Sequence, residues 1–196
     1  MLQIIILAAT ALLVGIDQLT KWLAVEYLQE PFPIIDGVFE LLLHKNPGAA
    51  FGLFEGQRWL FMGITVVVIV VLAAILMSGK YRQYRLVNLS GTLIIAGGIG
   101  NMIDRVRLGH VIDFLYFRLI DFPIFNFADC CVVIGALLLL IFFFFIYNED
   151  KNGLDKKAGR RDKAALESAE SAAAEETRDA GATDIGAGEG KDGPEA

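Results

Sequence analysis

Two stretches of this chain are long and apolar enough to cross a lipid bilayer. Residues 59–77 are 19 positions without a charge, and residues 128–147 are 20 positions whose one acid, Asp129, stands near the start. At about 1.5 Å per residue each would span roughly 30 Å of hydrocarbon as a helix. A backbone in lipid has to satisfy its own polar groups, so runs of this kind are expected to be helical. Composition agrees: 55% of the 196 residues are hydrophobic, and the mean hydropathy is +0.54.

Two further runs follow the same logic. Residues 86–102 are shorter and carry Gly91, Gly97, Gly98 and Gly100, the composition of a helix packed against other helices, where small residues let backbones approach. Residues 2–16 could be the apolar region of a cleaved signal peptide, but no Lys or Arg precedes them and the pattern continues past Asp17 into KWLAVEYL. The expected fold is therefore an all-α membrane protein with four transmembrane helices. Residues 32–54 hold β-forming side chains and a turn at Asn46-Pro47-Gly48, which points to a small extracytoplasmic β-containing region. Residues 111–125 could supply another short hairpin there.

Charge sets the expected direction. The connection after the second run carries Lys80, Arg82 and Arg85 with no acid, and the segment after the fourth opens with Lys151, Lys156 and Lys157. Both are expected to face the cytoplasm, which puts both termini inside and residues 103–127 outside. Residues 1–148 hold 9 Lys/Arg against 10 Asp/Glu, whereas residues 149–196 hold 8 against 13, so most of the net charge of −6 belongs to the tail. Residues 164–196 have scarcely any large apolar side chain and cannot offset their chain entropy by burial. The expected organisation is a membrane domain over 1–150 and a basic-then-acidic, disordered cytoplasmic tail over 151–196.

Metal and disulfide chemistry find little material. Cys130 and Cys131 are adjacent, about 100° apart on a helix, and only His44 and His110 represent histidine. No cofactor is expected, and no nucleic-acid partner.

The polar residues near the apolar runs are more informative. Asp17 and Lys21 lie four apart, acid first, as either a structural ion pair or part of a substrate site. In GGIGNMIDR, residues 97–105, the positions Gly97, Asn101 and Arg105 share one helix face, with Asp104 close to it. That stripe suits helix packing or substrate binding equally. Asp113 is readable as a loop acid and Asp129 as the cap of the last helix. Both acids, however, are expected at outer helix ends among Phe114, Phe125 and Phe127, with Asn126 nearby. Two carboxylates sharing a poorly hydrated site cannot both ionise easily, and a pair holding one proton has a general acid and a general base together.

The motifs DQLTK (17–21), NPGAAFG (46–52), GGIGNMIDR (97–105), VIDF (111–114) and FNFAD (125–129) occur in one order, and together they resemble those of lipoprotein signal peptidase, or signal peptidase II. The resemblance spans residues 17 to 129 and assigns the tail nothing. It implies an intramembrane aspartic endopeptidase, with no cofactor, acting on bacterial prolipoproteins before a diacylglyceryl-modified cysteine. It implies a monomer in the cytoplasmic membrane, working among membrane lipid at the extracytoplasmic surface. The catalytic dyad then maps onto Asp113 and Asp129. Substrate-binding positions map onto Asp17, Lys21, Asn46, Gly97, Asn101, Arg105, Asn126 and Ala128, with Asp104 in support. Asp121 matches no motif.

A proton- or cation-coupled transporter is the rival reading, since it too uses intramembrane acids. The absence of a detectable inverted repeat, and acids grouped at one face rather than the midplane, weigh against it. A structural or assembly protein is a third.

Overall fold

The computed structural model describes residues 1–48 and 58–147, and the side chains of residues 58 and 61 lie outside that description. The expectations for the segment 49–57 and for the tail from residue 148 onward therefore fall outside the described residues. Residues Met1–Phe144 form one compact unit.

The elements run α1 (Leu2–Tyr27), β1 (Phe32–Ile35), β2 (Phe39–Asn46), α2 (Arg58–Met77), α3 (Arg85–Arg107), β3 (Val111–Tyr116), a 3-10 turn (Arg118–Ile120) and α4 (Phe127–Ile141), which continues as π-helix through Phe142–Tyr147. This is a helical membrane protein with a small three-stranded sheet. Among the described residues three helices are long and apolar enough to cross a bilayer: Leu2–Tyr27, Arg85–Arg107 and Phe127–Tyr147. Within α2 the apolar stretch is the shorter Met62–Met77. The run 2–16 proves to be the first part of one unbroken helix that carries Asp17 and Lys21 in its second half.

The least apolar of the four helices sits in the middle. α3 packs against α1, α2 and α4, while α2 and α4 turn Ile64, Val67, Val70, Leu137 and Leu140 outward. In lipid there is no hydrophobic gain from hiding leucine, so the interior goes to the helix whose small residues permit close packing. Glycine is required there by distance. A Cβ at Gly97 would run into the main-chain carbonyl of Ala128 on α4, and one at Gly100 would run into the carboxylate of Asp17 on α1. Neither obstacle can swing away as a flexible side-chain tip could. Gly97→Ala is accordingly expected to force α3 from α4 and cost most of the activity, whereas Gly15→Ala, with nothing within 4 Å of its Cβ, is expected to be neutral. Parallel activity and thermal-melting measurements on the two variants check this.

Strand order in the sheet is β1-β2-β3, all antiparallel. β1 and β2 form a hairpin around Gly37 at φ 71°. β3 then lies along the free edge of β2, with His44 opposite Asp113 and Asn46 opposite Val111. Two expectations need correction here. Residues 111–125 do not make a hairpin of their own, because VIDFLY finds a ready-made edge in β2 and the returning chain pairs with it as a strand only at the isolated Leu115–Phe125 bridge. Asp113, moreover, is on a strand and not on a helix end. Under the sheet, Ala24 of α1 packs with Ile112 and Phe114 of β3. That contact seats the sheet over the end of the bundle where α1 and α3 finish and α4 begins.

Candidate active site

At that end the sequence supplies a short connection with a large geometric effect. α3 stops at Arg107, Gly109 turns the chain at φ 81°, and β3 starts at Val111, so Asp104 and Arg105 stay close to Asp113. The main-chain N–H of Ile112 donates to Asp104 Oδ2 at 3.2 Å, tying strand to helix. α4 starts with a capping box in which the Asn126 side chain accepts from the Asp129 N–H at 3.0 Å and Asp129 Oδ2 accepts from the Asn126 N–H at 3.1 Å. The cap is thus Asn126, and Asp129 is its reciprocal partner three residues on.

Asp113 and Asp129 both line one groove of about 550 Å³. Neutral amides hold them there. Asn126 Nδ2 donates to Asp113 Oδ1 at 2.7 Å and Asn46 Nδ2 to Asp113 Oδ2 at 2.8 Å, while Asn101 Nδ2 donates to Asp129 Oδ1 at 2.8 Å. Asn126 therefore bridges the pair, one carboxylate through its side chain and the other through its main chain. Among the described residues neither carboxylate takes part in a salt bridge.

The buried charge of Lys21 is committed elsewhere. Lys21 Nζ contacts Asp17 Oδ2 at 3.0 Å, Asp104 Oδ2 at 2.9 Å and Asn101 Oδ1 at 2.8 Å, using all three of its donors. Gln18 joins the same cluster, reaching Asp17 Oδ2 at 3.1 Å and Asp104 Oδ1 at 3.1 Å. Asp17 Oδ1 in turn accepts from the Ala128 N–H at 3.0 Å, satisfying one of the free donors at the start of α4. Side chains of Asp17 and Lys21 are 1% and 3% exposed.

Of the ten residues expected at the site, five line the groove: Asn46, Asn101, Arg105, Asp113 and Asp129. Asp17, Lys21, Gly97, Asn126 and Ala128 lie behind it, where they position the carboxylates and the helices that bear them. Asn46 and Asn101 point their amide donors at the carboxylates, so their first task is to hold the acids. Among the described residues the hydrogen bonds of Arg105 are long, 3.4 Å to the Asn101 carbonyl and 3.5 Å to the Gly48 carbonyl, and leave donors of its fork for other acceptors. The opposite wall is apolar: Phe122, Phe125, Val133 and Ile134. Of that wall sequence reading had named only Phe125, and it missed Gln18. The spacing of Cys130, Val133 and Ile134 on one face of α4 is the one signal that pointed to it. Among the described residues no group of three or more His, Cys, Asp or Glu is placed to hold a metal ion.

Burial pushes the Asp113 carboxyl up from its ordinary 3.8 to about 6; the Asn46 hydrogen bond opposes this, the charge of Asp129 adds to it, and Asn126 and Lys21 oppose it further. Because the folded value lies above the unfolded one, the folded site retains a proton between about pH 4 and 6, and stability falls as pH rises through that window. Asn46→Ala removes a donor to the charged form, so the Asp113 midpoint is expected to move further up, while Asp129→Asn is expected to move it down. Carboxyl-carbon NMR titration of labelled protein checks both directions.

A family model described as Signal peptidase (SPase) II matches residues 9–145 of this sequence. The chain belongs to the signal peptidase II family. It is similar to the lipoprotein signal peptidase of Brevibacillus brevis, 43% identical over 125 residues, covering 62% of this chain and 83% of the relative. That of Halothermothrix orenii is 48% identical over 120 residues, covering 60% and 80%. A bacterial membrane enzyme solved in meso at 1.9 Å superposes with a TM-score of 0.64 at 30% identity, covering 72% of this chain and 93% of that one. A second, at 2.3 Å, gives 0.63 at 31% identity, with 69% and 85% covered. As a signal peptidase II family member the chain is a bacterial membrane protease. The transporter reading is without support, and the acids gather at one end of the bundle.

Proposed function

We propose that this protein is an aspartic endopeptidase that removes signal peptides from bacterial prolipoproteins, cutting before the diacylglyceryl-modified cysteine, with Asp113 and Asp129 as its catalytic pair. One observation carries the mechanism: two carboxylates line one groove, tethered by amides and, among the described residues, in no salt bridge. A pair of that kind can hold a single proton. The ionised member takes a proton from water, the water oxygen attacks the scissile carbonyl, and the protonated member gives its proton to the carbonyl oxygen. Return of a proton to the leaving nitrogen then collapses the intermediate to amine and acid. Either carboxyl can carry the shared proton, so neither role is fixed to one residue.

Around that chemistry Arg105 is suited to bind substrate main-chain carbonyls, and Asn46 and Asn101 keep the carboxylates aimed. Asp17, Lys21, Gly97, Asn126, Ala128 and Asp104 act from behind. The groove's apolar wall suits a substrate presented with its lipid from the bilayer. All these groups belong to one chain, which fits a working monomer. On this reading Arg58–Met77 also crosses the membrane, making four spans, both termini are cytoplasmic, and the groove opens at the extracytoplasmic membrane surface. The basic connection Lys80, Arg82 and Arg85 supports that direction.

Purified protein in detergent, with no metal added, is expected to cleave a diacylglyceryl-cysteine peptide and to leave the unlipidated peptide intact. A periplasm-active reporter is expected to be silent when fused after Gly79 and active near Phe122. Cleavage that needs an added metal, or the reverse reporter pattern, would overturn the reading.

A further inference from the structure

Two side-chain contacts that the peptidase chemistry does not use help main-chain bonds, Leu119 N–H to the Val38 carbonyl at 3.3 Å and Phe125 N–H to the Leu115 carbonyl at 3.0 Å, to hold the segment closing one side of the groove. Phe122, Pro123, Ile124 and Phe125 line that side. Just upstream, β3 ends at Tyr116 and the 3-10 turn Arg118–Ile120 reverses the chain, finishing at Asp121 with φ 48° and ψ 45°. Asp121 is the one non-glycine residue with positive φ among the described residues. Aspartate tolerates that conformation when its short side chain finds a local partner. Here the partner is the Tyr116 hydroxyl, which donates to Asp121 Oδ1 at 2.6 Å, the length of a charge-assisted bond. The second contact, Arg118 Nη1 to Glu40 Oε2 at 3.3 Å, ties the turn to β2.

Burial does little to anchor the turn itself, since Leu119 and Ile120 are 69% and 68% exposed. Its position is nevertheless transmitted to the groove through a chain of rings. Phe39 of β2 meets Phe117 at 4.7 Å between centroids, Phe117 stacks on Phe125 at 5.9 Å, and Phe122 meets Phe125 edge-on at 5.8 Å. The N–H of Phe122 also donates to the Phe117 carbonyl at 3.1 Å across the turn.

We propose that Tyr116 and Asp121 are positioning residues for substrate: their hydrogen bond sets the place of the Phe122–Phe125 wall, against which an apolar part of the substrate packs. The inference rests on the reading of this groove as the substrate site. The wall runs into Asn126 at its last residue, but the Tyr116 and Asp121 side chains bond each other and are not among the tethers of Asp113 or Asp129, so loosening their contact removes chiefly binding that ground state and transition state share. That loss raises KM and leaves kcat in place.

The test uses the full chain in detergent, as wild type, Tyr116→Phe, Asp121→Gly and Asp121→Asn. Glycine suits the left-handed backbone and removes only the acceptor, whereas asparagine keeps both the conformation and an acceptor oxygen. For a diacylglyceryl-cysteine peptide, Tyr116→Phe and Asp121→Gly are expected to raise KM about 3- to 10-fold with kcat unchanged, the size of one lost hydrogen bond. Amide exchange at Phe122 and Phe125 is expected to quicken in the same two variants, and Asp121→Asn to stay closer to wild type in both readouts. Unaltered KM and exchange in Tyr116→Phe and Asp121→Gly would overturn the proposal, as would a fall in kcat at constant KM. A wild type that cleaves no lipidated peptide would overturn the peptidase reading instead. The exchange measurement would then decide the pin alone, quickened exchange supporting it and unchanged exchange ending it.

Discussion

Asp113→Asn and Asp129→Asn are each expected to lower turnover by about 10²- to 10⁴-fold while leaving a folded, membrane-inserted protein. Asparagine is nearly isosteric with aspartate and keeps an acceptor oxygen, so Asp129→Asn can still receive the Asn126 N–H of the capping box. What it cannot do is gain or lose a proton at neutral pH. If capping were the whole role of Asp129, the asparagine variant would stay active. The double variant is expected to be scarcely worse than either single one, because residues that act as one unit are not additive. Cleavage of a diacylglyceryl-cysteine peptide by the purified variants, free of host peptidase, is the measurement. Substantial activity in either single variant would sink the dyad.

Lys21→Met is expected to be the most destabilising single change, by about 3–5 kcal/mol, the usual cost of leaving buried charge unpaired. Methionine matches the length and apolar stem of lysine, so packing is nearly conserved and the loss is electrostatic. It strands Asp17 and Asp104, both nearly inaccessible to solvent, and takes a donor from Asn101, which holds Asp129. Against a typical total stability of about 5–15 kcal/mol such a loss is large. Arginine is not expected to rescue, since its planar fork cannot reproduce three donors diverging from one nitrogen. Neutralising the stranded acids as well, in Lys21→Met with Asp17→Asn and Asp104→Asn, is expected to restore part of the melting temperature. A triple variant no more stable than Lys21→Met would mean that shape, not charge, governs this cluster.

Much of this molecule was legible one segment at a time. Hydropathy is a local property, and so the run 128–147 announced a helix whatever its neighbours were; the glycines of 86–102 announced a crowded one. The i, i+4 spacing of Asp17 and Lys21 foretold their 3.0 Å pair, because helix geometry alone brings them together. The same spacing put Gly97, Asn101 and Arg105 on one face. The ordered motifs led to the expectation that Asp113 and Asp129 meet, and both line one groove, but other claims about which elements meet were left open or misplaced. VIDFLY has strand character, but only the free edge of β2 decided that it would be a third strand, carrying Asp113 off the helix end where it was expected. Lys21 reads equally well as a substrate ligand until Asp104, 83 positions away in the chain, is seen against it. Asp129 reads as the helix cap until Asn126 is found in that place, its side chain on Asp113 and its main-chain N–H on Asp129. Periodicity and hydropathy act over a few residues and are written in the chain; the direction of a hydrogen bond between distant segments is decided by packing, because a buried polar group takes whichever partner the fold brings within about 3 Å.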